Sequence, residues 1–147
     1  MMALLQRVAR AHVEIEGKVH AAIGPGLLML VCAESSDTDA LAETMVAKVL
    51  KLRIFADEAG KMNHSLVDVN GGLLIVSQFT LAADVTAGNR PGFTGAAAPA
   101  LGRAIYERVV EIASARHADV ASGQFGADMQ IHLVNDGPVT IPITLRP

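Results

Sequence analysis

The sequence predicts an α+β domain in which two main helices cover one side of curved, mostly antiparallel sheets. Three observations carry this prediction: strand-like segments at both ends of the chain, two stretches between them with the helical period, and turn residues punctuating the joints. The 147 residues, 51% hydrophobic and 18% charged, suffice for one core. No repeat, linker or composition shift divides them, so a single domain over 1–147 is expected.

The opening "ALLQRVARAHVEIEG" alternates apolar and polar residues through Val8, Val13 and Ile15, the period of a half-buried strand. "EGK" offers a hairpin turn, "VHAAI" a second strand, and "GPG" at Gly24 to Gly26 a break before "LLMLVCA", whose continuous apolarity suits a central strand. In "SSDTDALAETMVAKVLKLRIF" the period changes: Leu41, Met45, Val49 and Leu52 form one helical stripe, and Ser36 with Asp39 matches a capping box. "ADEAGKMNHSLVDVNGG" reads as a loop and "LLIVSQF" as another central strand. "ADVTAGNRPGFTGAAAP" is small and turn-rich, a surface loop. From Pro99 a second helix places Leu101, Ile105, Val109 and Ile112 on one face, and the tail "VASGQFGADMQIHLVNDGPVTIPITLRP" returns to strands.

Composition excludes several classes of function. A net charge of −3 with a pI of about 5.9 and few aromatics is wrong for a protein that coats nucleic acid, although a small local contact fits. The five histidines, His12, His20, His64, His117 and His132, have no spacing that joins ligands on a helix face, so no metal and no cofactor is expected. Cys32 lies in an apolar run, where a buried inert thiol is the simplest reading. Arg7 and Arg10 interrupt the N-terminal segment too early for a signal peptide, and no apolar run is long enough to span a bilayer. The expectation is a cytoplasmic protein without membrane contact.

Chemistry concentrates in four places. Ser77, Gln78 and Thr80 gather at the end of an apolar strand, where they either satisfy backbone groups or serve a reaction, as a nucleophile or beside main-chain N–H groups aimed at an oxyanion. Phe125 and Met129 either wall a pocket or join the core, and Arg90 in "GNRPGF" is a solvated charge or a phosphate contact. Gly137 and Pro138 interrupt "NDGPVTIPI" between two strand-like runs; glycine weakens a strand and proline cannot donate to its ladder, so the pair turns the chain or presents something there.

"LLQRVARAHVEIEG", "IGPGLLMLV", "SQFTLAAD" and "FGADMQIHLVNDGPVT" stand in the order found in the D-aminoacyl-tRNA deacylases, and the chain resembles that family over nearly its whole length. One departure is Gly92 in "RPGF", where the family commonly has Ser. The resemblance implies a layered β/β/α homodimer that removes D-amino acids, and glycine mischarged on tRNA-Ala, from the 3′ end of transfer RNA. It implies that Gly137 and Pro138 form a Gly-cis-Pro motif inserted into the partner's active site, that Arg7 fixes its orientation, and that Ser77, Gln78, Phe79, Thr80 and Met129 line the pocket.

In that reading main-chain groups and the tRNA 2′-hydroxyl assist attack by water, and Thr80 positions rather than attacks. Lys48, Lys51, Arg90 and Arg103 are available for tRNA phosphates. The competing readings are a non-enzymatic, nucleic-acid-binding homodimer and an esterase with Thr80 as nucleophile.

Overall fold

The computed structural model describes residues 1–147. Strand β1 (Met2–Ile15) is its hub. Its residues Ala11–Ile15 pair antiparallel with β2 (Lys18–Ile23), and Met2–Val8 pair antiparallel with β3 (Gly26–Cys32). Its other edge takes the C-terminal strand β8 (Gln130–Thr144), also antiparallel. Glu16 and Gly17 both adopt positive φ in the hairpin between β1 and β2, the handedness that a two-residue turn requires.

Beyond β3 the sheet becomes parallel, through β6 (Gly72–Ser77) and then β7 (Val120–Ser122). Parallel neighbours need long crossovers, and the two main helices supply them: α1 (Asp39–Lys51) lies between β3 and β6, and α3 (Pro99–Arg116) between β6 and β7. Where β3 and β6 begin, Gly26 stands opposite Gly72, and a Cβ on Gly26 would lie 1.9 Å from the Gly72 carbonyl oxygen. That approach admits glycine alone.

The pleat sorts side chains onto two cores. Leu27, Met29, Leu73 and Ile75 face α1 and α3, meeting Met45, Val49, Ile105 and Val109. Leu28, Leu74 and Val76 face the other way and pack against Val8, Ala11 and Val13 of β1, with Ile131 and Leu133 of β8 beside them. The second half of β1 therefore curls over the sheet as a further layer, which yields β/β/α. Residues covered on both faces must be apolar at every position, the reason β3 and β6 read as unbroken hydrophobic runs.

Several local expectations change. Thr38, not Ser36, caps α1, its side chain accepting from the Leu41 N–H at 3.3 Å, and Leu52 lies past the last helical turn in extended conformation. The stretch expected as a loop after α1 holds β4 (Phe55–Ala56), β5 (Met62–His64) and a short helix, α2 (Leu66–Val69). A capping box opens α2, with Ser65 and Asp68 exchanging bonds; so short a helix has too little periodicity to announce itself. The strand expected through Phe79 stops at Ser77, because Phe79–Ala82 turn into a 3-10 helix.

Candidate active site

Where β6 ends, the Gln78 N–H still donates to the Val31 carbonyl at 2.8 Å, and the following 3-10 turn swings Phe79 and Thr80 outward. The Gln78 side-chain amide donates to the Thr80 hydroxyl at 2.7 Å. Phe79 is exposed and meets Phe93 edge-on, with ring centroids 5.0 Å apart. Behind this turn lies a mainly apolar cavity of about 660 Å³, bordered by Ser77, Gln78, Phe79, Phe125 and Met129. Five residues proposed for the site from sequence thus share one cavity, and Thr80 stands at its edge through Gln78.

Other walls come from residues with no sequence signal of their own. Phe93, Ala96 and Ala97 belong to the stretch read as a surface loop; the Ala97 N–H donates to the Ala33 carbonyl at 2.9 Å, which folds that segment onto the cavity. Tyr106, buried on α3, lines the cavity with its hydroxyl 3.1 Å from both the Ile75 and the Gly123 carbonyl oxygens. Burial pushes that hydroxyl up to about 12. Cys32 also borders the cavity, but its thiol donates to the Ala33 and Phe79 carbonyls and burial raises its pKa, so it stays protonated and inert. Arg103 lies over the Phe125 ring at 4.9 Å, whereas Lys48, Lys51 and Arg90 are exposed and do not border the cavity. At Gly92 an added Cβ would approach nothing closer than the Asp84 carbonyl at 4.0 Å, so packing does not demand the glycine.

The Gly-Pro pair lies inside β8 but makes no simple turn: it belongs to an irregularity in the strand's pairing. In the β1–β8 register Gln6 faces Thr140 and Val8 faces Asn135, so Arg7 alone is spanned by Asp136, Gly137, Pro138 and Val139. This excursion is fastened at its base: Arg7 Nε donates to the Asp136 carbonyl at 2.9 Å, and the Val139 N–H donates to the Asn135 side chain at 2.9 Å. Arg7 is anchored in turn through Nη1 to the Ile54 carbonyl at 2.7 Å. The Gly137–Pro138 peptide is cis, and both residues are exposed. Neither they nor Arg7 borders the cavity of the same chain.

The family model described as D-Tyr-tRNA(Tyr) deacylase matches residues 4–144. The chain belongs to the D-Tyr-tRNA(Tyr) deacylase family. Among the relatives of this deacylase-family chain is a D-aminoacyl-tRNA deacylase of Variovorax paradoxus (strain S110), 64% identical over 145 residues and covering 99% of both chains. Another, from Delftia acidovorans (strain DSM 14801 / SPH-1), is 61% identical over 152 residues, covering 100% of this chain and 97% of the relative. Among solved structures, a c-Myc DNA unwinding element binding protein superposes with a TM-score of 0.95 at 39% identity, covering 100% of both chains. A probable eukaryotic D-amino acid tRNA deacylase shares the fold, with a TM-score of 0.84 at 21% identity over 97% of each chain.

His12 and His132 lie on strands rather than on a helix, and the β1–β8 register sets them opposite each other beside Glu14.

Proposed function

We propose that the chain hydrolyses the ester of D-aminoacyl-tRNA as a cytoplasmic homodimer of single-domain subunits, each built over residues 1–147. The observation that carries the reading is a division within one chain: the cavity behind Gln78 and the fastened Gly137–Pro138 excursion are both well formed, yet apart. A second copy that inserts its excursion into the first copy's cavity would join them. Family membership and the relatives' names support the substrate.

In the complete site, the exposed main chain of Asp136–Pro138 accepts hydrogen bonds from the substrate ammonium and occupies the space that an L side chain would need. A D side chain points into the apolar cavity, and glycine, having none to exclude, passes the filter, so glycyl-tRNA is also cleaved. The ester is already activated, and one main-chain N–H on the developing oxyanion contributes about 3–4 kcal/mol. The turn Phe79–Ala82 supplies such donors, because the first N–H groups of a helix lack intrahelical acceptors. Water attacks with help from the vicinal 2′-hydroxyl of the terminal adenosine. Arg103, beside Phe125, is placed to meet a phosphate of the acceptor end.

The name of the neighbour described as a DNA unwinding element binding protein favours a second reading, a nucleic-acid-binding homodimer without catalysis. Purified protein incubated with matched D-aminoacyl-, glycyl- and L-aminoacyl-tRNA separates the two. Hydrolysis of the first two with the third spared is expected. Binding without hydrolysis would leave only the second reading, and equal hydrolysis of D- and L-esters would remove the chiral filter.

A further inference from the structure

We infer that His12, Glu14 and His132 form a binding site for a divalent transition-metal ion on the outer face of the β1–β8 pair. His12 and His132 are direct cross-strand partners, and Glu14 follows His12 by two residues, so the pleat puts all three side chains on one face. The Nε2 atoms of His12 and His132 lie 3.3 and 3.5 Å from the two oxygens of the Glu14 carboxylate. The two rings stack with centroids 4.4 Å apart and planes inclined by 7°, which directs both Nε2 edges the same way. One potential ligand atom from each residue falls within a group no more than 4.8 Å across.

Those separations suit a metal ion. Zinc holds imidazole nitrogen and carboxylate oxygen at roughly 2.0–2.2 Å, so ligand atoms around it sit about 3–4 Å apart, and small side-chain rotations bring these three into range. Two imidazoles and one carboxylate favour zinc, copper or nickel over magnesium or calcium, which prefer all-oxygen shells. The side chains are 34%, 29% and 50% exposed, open enough for an ion to enter and for water to complete its shell. Metal binding displaces any proton from the ligating ring nitrogens. Arg10, exposed and two residues before His12 on the same face of β1, adds a positive charge to that face, which the Glu14 carboxylate offsets.

None of the three residues borders the cavity, so the site stands apart from the proposed hydrolysis and does not depend on it. Its physical effect is to tie β1 to β8, the strands that carry Arg7 and the Gly137–Pro138 excursion.

The test is calorimetric titration of the full-length protein, stripped with a chelator, using zinc alone, with cobalt absorption as a report on ligand geometry. One ion per chain is expected, with a zinc-dependent rise in thermal midpoint. His12→Ala and His132→Ala should each weaken binding by more than about tenfold, the scale at which even outer-shell partners act. His12→Gln and His132→Gln, which keep side-chain bulk, should do the same with unchanged circular dichroism. Absence of saturable binding, or binding indifferent to both histidines and therefore by an adventitious ion only, would overturn the site. Hydrolysis of D-aminoacyl-tRNA by the stripped protein should persist; loss restored only by zinc would place the metal in the reaction and refute a site apart from it.

Discussion

Arg7 donates from Nε to the Asp136 carbonyl at 2.9 Å, so the residue that β1 sets against the Gly-Pro excursion is the one that holds it. The same guanidinium reaches the Ile54 carbonyl at 2.7 Å. Arg7→Ala removes both tethers while leaving the apolar cores intact. Deacylation of D-aminoacyl-tRNA should fall by about tenfold to a hundredfold, the scale on which small misplacements act. Arg7→Lys should rescue little, because an ammonium lacks the planar fork that spans two carbonyls. Single-turnover kinetics on protein with unchanged circular dichroism provide the check.

Gly137 adopts φ +148°, and an added Cβ would stand 2.7 Å from Val139 Cγ2 and 2.8 Å from the Val139 nitrogen. Gly137→Ala therefore reshapes the excursion locally. The stability cost should stay within about 1–3 kcal/mol, a bounded backbone strain, whereas hydrolysis should drop by more than about a hundredfold. Comparing denaturant midpoints with turnover rates distinguishes this from general unfolding.

Thr80→Ala should retain measurable deacylation. The hydroxyl accepts from the Gln78 amide at 2.7 Å, and no histidine or lysine is bonded to it to act as a base. A fall to the uncatalysed rate, with quaternary state unchanged, would instead make Thr80 a covalent nucleophile.

Tyr106 is the sole tyrosine of a chain without tryptophan, so its ionisation can be followed by phenolate absorbance. Burial pushes it up to about 12 from its ordinary 10, so the native protein should titrate near 12 and the denatured chain near 10. As pH rises through about 10 the unfolded chain releases this proton first, which favours unfolding. Tyr106 thus leaves stability unchanged below pH 10 and lowers it between about 10 and 12. Tyr106→Phe should abolish that alkaline component.

Gly26→Ala should prevent folding or cost more than about 4 kcal/mol, because the methyl group would enter the Gly72 peptide where β3 and β6 meet. Gly24→Ala, where a Cβ meets nothing within 4 Å, is the control that should fold normally. Yields of folded protein and urea midpoints of the pair give the answer.

Much of this protein is decided by the sequence alone. The apolar runs of β3 and β6 and the helical stripes of α1 and α3 are statements about local period and burial, which a linear chain carries in full. The gathering of Ser77, Gln78 and Thr80 at a strand end is legible for the same reason, as is the oddness of Gly137–Pro138 inside a strand pattern. Tertiary structure alone decided what depends on register and crossover. It folded Phe93 and Ala97 onto the cavity, set Tyr106 between two carbonyls, and placed Arg7 across from Asp136. It likewise united His12 with His132, which are 120 residues apart in sequence and direct neighbours across β1 and β8. Spacing along a chain reports only what one element puts on one face. Pairing between strands is set by the hydrophobic alternation of both and by bulges such as the one Arg7 faces, and a single-residue slip would turn every such side chain to the other side.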